Sequence, residues 1–202
     1  KVNKPSRYVG GEWNQKVKDF DSTLVRYCLA FPDVYEVGMS HLGLKIIYHE
    51  LNKRSDSLAE RVYTPWPDME KAMRFNQIPL YGLESFTPLK EYDIIGFALL
   101  YEMNASNVLT MLDLAGIPLY SKERGEEIPL ILAGGPCVCN MEAVADFFDL
   151  AILGEGEEII HLLTEELGKW KMAGKPGGKK GFLENAARIQ GIYVPSFYEP
   201  IY

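Results

Sequence analysis

Five short apolar runs divide this chain, and a stretch with helical spacing follows each of them. "VRYCLAF" (Val25 to Phe31) ends at Pro32, and "HLGLKIIYHELNKR" then sets Leu44, Ile47, Tyr48 and Leu51 on one face. Ser40 stands where a helix cap belongs. "AERVYT" is the second run. "PWPDMEKAMRFN" follows it, with prolines at a helix entry and Met69, Ala72 and Met73 turned inward. After the extended piece "IPLYGLES" comes the clearest strand, "YDIIGFALL" (Tyr92 to Leu100). "NASNVLTMLDLAG" then places Val108, Met111, Leu112 and Ala115 on one face and stops at Gly116 and Pro118. "PLILAGG" with "MEAVADFF", and "DLAILG" with "EEIIHLLTEELGKW", complete the series. Runs this continuously apolar belong in strands buried on both faces, and the alternation with helices makes the sheet parallel. The expected fold is α/β: a flavodoxin-like or Rossmann-like, doubly wound, mostly parallel five-stranded sheet of order 2-1-3-4-5 with right-handed crossovers. Residues 1–22 are expected as an N-terminal extension, 23–170 as the α/β domain and 171–202 as a linker.

In such a sheet, ligands gather at the carboxyl ends of the strands. The loops expected on that rim are Pro32–Gly43, Gly82–Pro88, Tyr101–Asn104, Gly134–Asn140 and Gly154–Glu157. Two of them are glycine turns, "GGPCVCN" and "GEGEE". Phosphate does not suit them. Glu155, Glu157 and Glu158 already answer the dipole of the helix they begin, and would repel a second anion. "GGPCVCN" lacks the Lys and Ser/Thr of a P-loop, and no G-x-G-x-x-G follows the first strand. The loop after that strand also lacks the Ser/Thr-rich phosphate turn of a flavodoxin, and the acids and Lys of a receiver domain are incomplete. Glycines that let backbone lie against a broad face, beside carboxylates that accept from neutral amides, suit a large, flat, amide-rich ligand such as a corrin. The alternative is that Gly134, Gly135, Gly154 and Gly156 only shape tight strand-to-helix turns.

The charge balance narrows the partners. A net charge of −7 disfavours nucleic acid, whose binding rests on Lys and Arg. The one basic stretch, "KWKMAGKPGGKK", has the glycine content of a solvated linker. No run reaches the ~18 apolar residues of a membrane span. "KVNKPSRYVGGEWNQ" has no apolar signal core, so the expected location is the cytoplasm. Cys28, Cys137 and Cys139 are an odd, small set suited to a reducing compartment, and two thiolates at C-x-C spacing cannot complete a tetrahedral zinc site. Asp33, Glu36 and His41 share a loop without diagnostic metal spacing. His49 and His161 lie within helical patterns.

"LAGGPCVCNMEAVADFFDLAILGEGEEII" resembles the cobalamin-binding-like domain of B12-type radical SAM proteins. "YVGGEWN", "LAFPDVYEVGMSHLGLKIIY", "ERVYTPWPDME" and "YDIIGFALLYE" look like one uncharacterised subfamily of them, and "GIYVPSFYEP" looks like the segment leading into the radical SAM barrel. The cluster motif C-x3-C-x2-C is absent, so the chain looks like an N-terminal part of a larger enzyme. The resemblance implies a parent with a [4Fe–4S] cluster and S-adenosylmethionine, generating a 5′-deoxyadenosyl radical, with the barrel and its substrate as this domain's partners. It implies cobalamin contacts from His41, Gly43, Ala98, Leu100, Tyr101, Gly134, Gly135, Pro136, Gly154, Glu155, Gly156 and Glu157, with His41 a candidate lower cobalt ligand. Against the D-x-H-x-x-G of cobalamin modules, Met39-Ser40-His41-Leu42-Gly43-Leu44 keeps the His and displaces the Asp and the last Gly. Against S-x-L, Ala98-Leu99-Leu100 keeps the Leu and loses the hydroxyl. Gly134-Gly135 is intact. Two functions stay open on these residues: a cobalamin-binding module, or a cofactor-free domain that docks the barrel or a substrate. An RNA-holding role through the basic stretch is a third.

Overall fold

A computed structural model describes residues 1–199. Six strands form one sheet in the order β2-β1-β3-β4-β5-β6. They are β1 (Val25–Phe31), β2 (Ser57–Tyr63), β3 (Ile94–Ala98), β4 (Leu130–Gly134), β5 (Leu150–Ile152) and β6 (Ile192–Tyr193). The first five are parallel, as expected, and β6 adds to β5 antiparallel. A two-residue strand carries no period of its own, so no apolar pattern announces it. Gly191 turns the chain into it and accepts from the Leu153 N–H at 2.7 Å.

Alternation along each strand divides the core into two layers. Val25, Tyr27, Leu29 and Phe31 of β1 face one side with Leu130 and Leu132 of β4 and Leu150 and Ile152 of β5. Helices α2 (Leu42–Lys53) and α5 (Gly156–Met172) cover that side, after a single turn, α1 (Tyr35–Gly38). Cys28, Ala30, Ile95, Phe97, Ile131 and Ala133 face the other side. There α3 (Pro67–Asn76), α4 (Asn104–Leu114) and the 3-10 turns of Pro136–Phe147 pack. "MEAVADFF" lies in those 3-10 turns, which break at Asn140, and not in a regular α-helix.

Of the segment expected as a linker, residues 178–193 are built into the domain, and 200–202 lie outside the described residues. Helix α6 (Gly178–Ala186) buries Phe182 and Ala186 completely, and Phe182 packs against Trp170 at 5.5 Å between ring centroids. The Trp170 indole N–H donates to the Pro176 carbonyl, which pins the glycine-rich turn. Residues 1–22 also lie along the domain. Lys16 N–H donates to the Tyr48 hydroxyl, and Asn3 N–H donates to Asp68. Arg7 reaches Glu36 and lies over the Trp66 ring.

Strand β2 is an edge, and side chains close it. The Asn52 carboxamide donates to the Ala59 carbonyl at 2.9 Å and accepts from the Ala59 N–H at 3.2 Å. Lys18 donates to Ser57 O, Glu84 accepts from Arg61 N–H, and Leu83 N–H donates to Arg61 O. An open edge is a template for pairing with another chain. Replacing Asn52 by leucine should therefore cost about 1–3 kcal/mol and promote self-association. Urea denaturation and size-exclusion chromatography check this, and an unchanged midpoint would contradict it.

The same contacts correct one expectation. Gly82–Pro88 does not stand on the carboxyl rim: it runs along the β2 edge, where Glu84 pairs with Arg61 and Ser85 donates to Glu60. The isolated Tyr81–Pro88 bridge closes it into a hairpin.

Candidate functional site

Consecutive parallel strands bring four loops to one edge of the sheet, those after β1, β3, β4 and β5. At about 4.8 Å between strands, the four ends span roughly 15 Å. The strand order reverses between β1 and β3, and the crevice of a doubly wound sheet is expected there.

Here that crevice is stitched shut. Asn104, 1% exposed, accepts from the Leu100 N–H at 2.9 Å and the Tyr101 N–H at 3.3 Å, and donates to the Pro32 carbonyl at 3.1 Å. Asn107 donates to the same carbonyl at 2.9 Å. Above them the Tyr101 hydroxyl donates to Asp33, whose other oxygen accepts from the Val34 N–H. That carboxylate pushes the phenol above its ordinary value. Asn104 is thus a bridge between two loops. The bridge is not visible in the sequence, because the Pro32 carbonyl that it reaches follows β1, 72 residues away.

The next gap, between β3 and β4, is also closed. Leu99 N–H donates to Gly134 O at 2.7 Å, and Cys137 N–H donates to Leu99 O at 3.0 Å. Gly135 has φ +100, and a Cβ there would lie 2.7 Å from the Leu99 carbonyl oxygen. Only glycine allows that approach. Leu99 itself is buried in the core, while Ala98 and Leu100 are half-buried against the α2–α5 layer.

Gly134 and Gly154 differ from Gly135. A Cβ at either position meets nothing within 4 Å, so two adjacent strands end in bare backbone under open space. Pro136 and Glu155 are exposed beside them, and Glu157 is half-buried in the first turn of α5. A Cβ at Gly156 would meet Ile47 of α2 at 3.4 Å, an ordinary contact, so α5 begins beside α2. The side-chain carboxylates of Glu102, Glu155, Glu157 and Glu158 make no hydrogen bond or ion pair among the described residues.

His41, and not Ser40, caps α2: its Nδ1 accepts from the Leu44 N–H at 3.1 Å. Its ring packs 5.1 Å from Phe31, and burial lowers its pKa. Ser40 instead donates to Val37 O inside the preceding turn. Gly43 is exposed, with the His41 ring against it. Asp33, Glu36 and His41 go to three different partners, for Glu36 accepts from Arg7, which lowers its pKa. No group of three or more His, Cys, Asp or Glu placed to hold a metal occurs among the described residues.

Set against a corrinoid, these residues fit one part and not another. Gly134 and Gly154 leave room for a broad, flat face, and the free carboxylates can accept from its amides. A slender tail entering the sheet finds both gaps beside β3 closed. Two cavities lie elsewhere. One of about 20 Å³ sits beneath Arg7 and Tyr8. The other, about 190 Å³, opens at the amino ends of the strands beside Arg26, Asp93, Trp170 and Lys179. Its half-buried charges are engaged within the protein: Asp93 with Lys171 at 2.7 Å, and Lys179 with the Gly125 carbonyl.

Comparison with known proteins identifies a family for this chain. The sequence profile described as "Radical SAM proteins, N-terminal" matches residues 43–195, which is β2 through β6 with their helices. An uncharacterized protein of Methanocaldococcus jannaschii is 26% identical over 130 residues. That stretch is 64% of this chain and 23% of the relative, so the chain spans only a fraction of the relative's length. No helix among the described residues is long and apolar enough to cross a membrane. With more than half of its length matched, the chain belongs to the family of N-terminal domains of radical SAM proteins.

Proposed function

We propose that this domain is a non-catalytic docking module, and that its carboxyl rim is the face turned toward the cluster-bearing part of a longer radical SAM protein. The observation that carries this is the closed switch point. Where a doubly wound domain ordinarily admits a ligand, Asn104, Asn107 and Tyr101 tie the loops together, while apolar side chains stand exposed around them. A surface of this kind suits contact with another protein surface better than enclosure of a small molecule. The parent would carry the [4Fe–4S] cluster and S-adenosylmethionine, and among the described residues no group of three or more His, Cys, Asp or Glu is placed to hold a metal.

Amide hydrogen exchange on the chain alone and within the longer protein tests the docking. Residues 101–104, 134–140 and 153–157 are expected to exchange more slowly in the longer protein. Equal rates in the two would refute the proposal.

Cobalamin is the second reading, favoured by the open space over Gly134 and Gly154. Gly134 and Gly154 would leave it room, and the Glu155 and Glu157 carboxylates would accept from its amides. Hydroxocobalamin mixed with the protein and then desalted should co-elute as colour if this is right. Gly154→Val should abolish the uptake, since φ is +102 there and a side chain would occupy the space. Colourless protein would leave the cofactor-free module.

A further inference from the structure

We infer that the surface docking on the carboxyl rim is cationic around an apolar centre, so that this face takes a basic protein segment and rejects phosphate-bearing partners. The inference rests on the rim being the docking face and adds the chemistry of what docks there.

Three observations point the same way. Met103 is 78% exposed, Leu42 69%, Tyr101 41% and Leu153 40%. Met103 and Tyr101 stand on the loop after β3, Leu153 follows β5, and Leu42 opens α2 after β1, all near the ends of adjacent strands. Second, the loops 32–43, 99–104, 134–140 and 153–158 contain Asp33, Glu36, Glu102, Glu155, Glu157 and Glu158 but no Lys or Arg. Third, the charge there is largely uncompensated. Arg7 and Lys4 reach Glu36, and Tyr101 reaches Asp33, but the four remaining glutamates have no partner among the described residues.

Apolar side chains supply the contact area of an interface, and the ring of charge selects the partner's sign. Glu157 and Glu158 also lie on the first turn of α5, where they offset the positive end of the helix that would otherwise attract phosphate. An RNA or nucleotide approaching this face meets carboxylates without a compensating cation. A Lys- or Arg-rich segment with leucine-like side chains at its middle meets both of its complements.

The test uses the ¹⁵N-labelled chain and three probes: an amphipathic helical peptide of Leu and Lys, the same pattern in Leu and Glu, and poly-uridylate. The Leu–Lys peptide is expected to shift amides of residues 33–42, 101–103, 134–140 and 153–158, and the other two probes are not. Combining Glu102→Gln, Glu155→Gln and Glu158→Gln should weaken that binding about tenfold at low salt, with less effect at high salt. Met103→Ser with Leu153→Ser should weaken it by about the same factor at both salts. All these side chains are exposed, so the variants keep the fold, which the spectra themselves report. Shifts spread over the acidic surface at large, equal binding of the Leu–Glu peptide, poly-uridylate at the rim, or binding indifferent to the three Gln changes would each overturn the inference. Hydrogen exchange separates the two levels. Rim protection in the longer protein that survives the three Gln changes would leave docking in place and remove the cationic partner.

Discussion

Replacing Arg124 by methionine is expected to cost this domain about 3–5 kcal/mol, the range for removing one partner of a buried ion pair. The Arg124 side chain is fully buried, and the Asp149 side chain opposite it is 9% exposed. Its guanidinium donates to Asp149 at 2.9 Å and to the carbonyls of Pro118, Leu119 and Phe147. Asp149 also accepts from Ile131 N–H on β4 at 2.6 Å. One cation thus holds the turn after α4, the end of the 3-10 segment and the entry to β5. Burial works against both charges, lowering the pKa of Arg124 and raising that of Asp149. Without the guanidinium, a buried carboxylate loses its counter-charge and three carbonyls lose the donor that reaches them. The urea midpoint measures the loss. Adding Asp149→Leu to Arg124→Met should recover part of it, because the unpaired charge is then gone. A single-variant loss below about 1 kcal/mol would mean that the pair is solvated and the closed corner is wrong.

Asn104→Ala is expected to be the second most damaging change, at about 3 kcal/mol, from two N–H groups losing their acceptor and the Pro32 carbonyl losing one of its two donors. Its second effect is local. The crevice between β1 and β3 loses its main bridge, so the amides of Leu100 and Tyr101 should exchange faster with solvent. Asn104→Asp separates the two roles of the side chain. It keeps the acceptor for Leu100 and Tyr101 but loses the donor to Pro32 O and sets a carboxylate against that carbonyl. Faster exchange in both variants, with the loss of stability, is the expected result. Unchanged exchange at Leu100 in Asn104→Ala would mean that the switch point is held closed by something else. That outcome would weaken the docking proposal, which rests on this closure.

The strands and helices were legible because each carries its own period. Val25–Phe31 is apolar at every position but one, as a strand between two helical layers must be. Val108, Met111 and Leu112 repeat at helical spacing and are buried as that spacing requires. β6 and α6 escaped because a two-residue strand has no period and the lysines and glycines around α6 read as solvated chain. Gly82–Pro88 was misplaced for a related reason. Its position along the β2 edge depends on Glu84 meeting Arg61, a partner 23 residues away.

Local chemistry along the chain was enough to make the sheet parallel, to divide its core into two layers and to carry glycine turns to a common edge. Those consequences follow from backbone geometry and side-chain period, which act over a few neighbouring residues. Whether the edge would be a cleft or a closed face was set by contacts across the fold. Asn104 meets Pro32 across 72 residues of sequence, and Tyr101 meets Asp33 across 68. A side chain's type restricts which bonds it can make, and only the folded chain determines which partner stands within reach to make them.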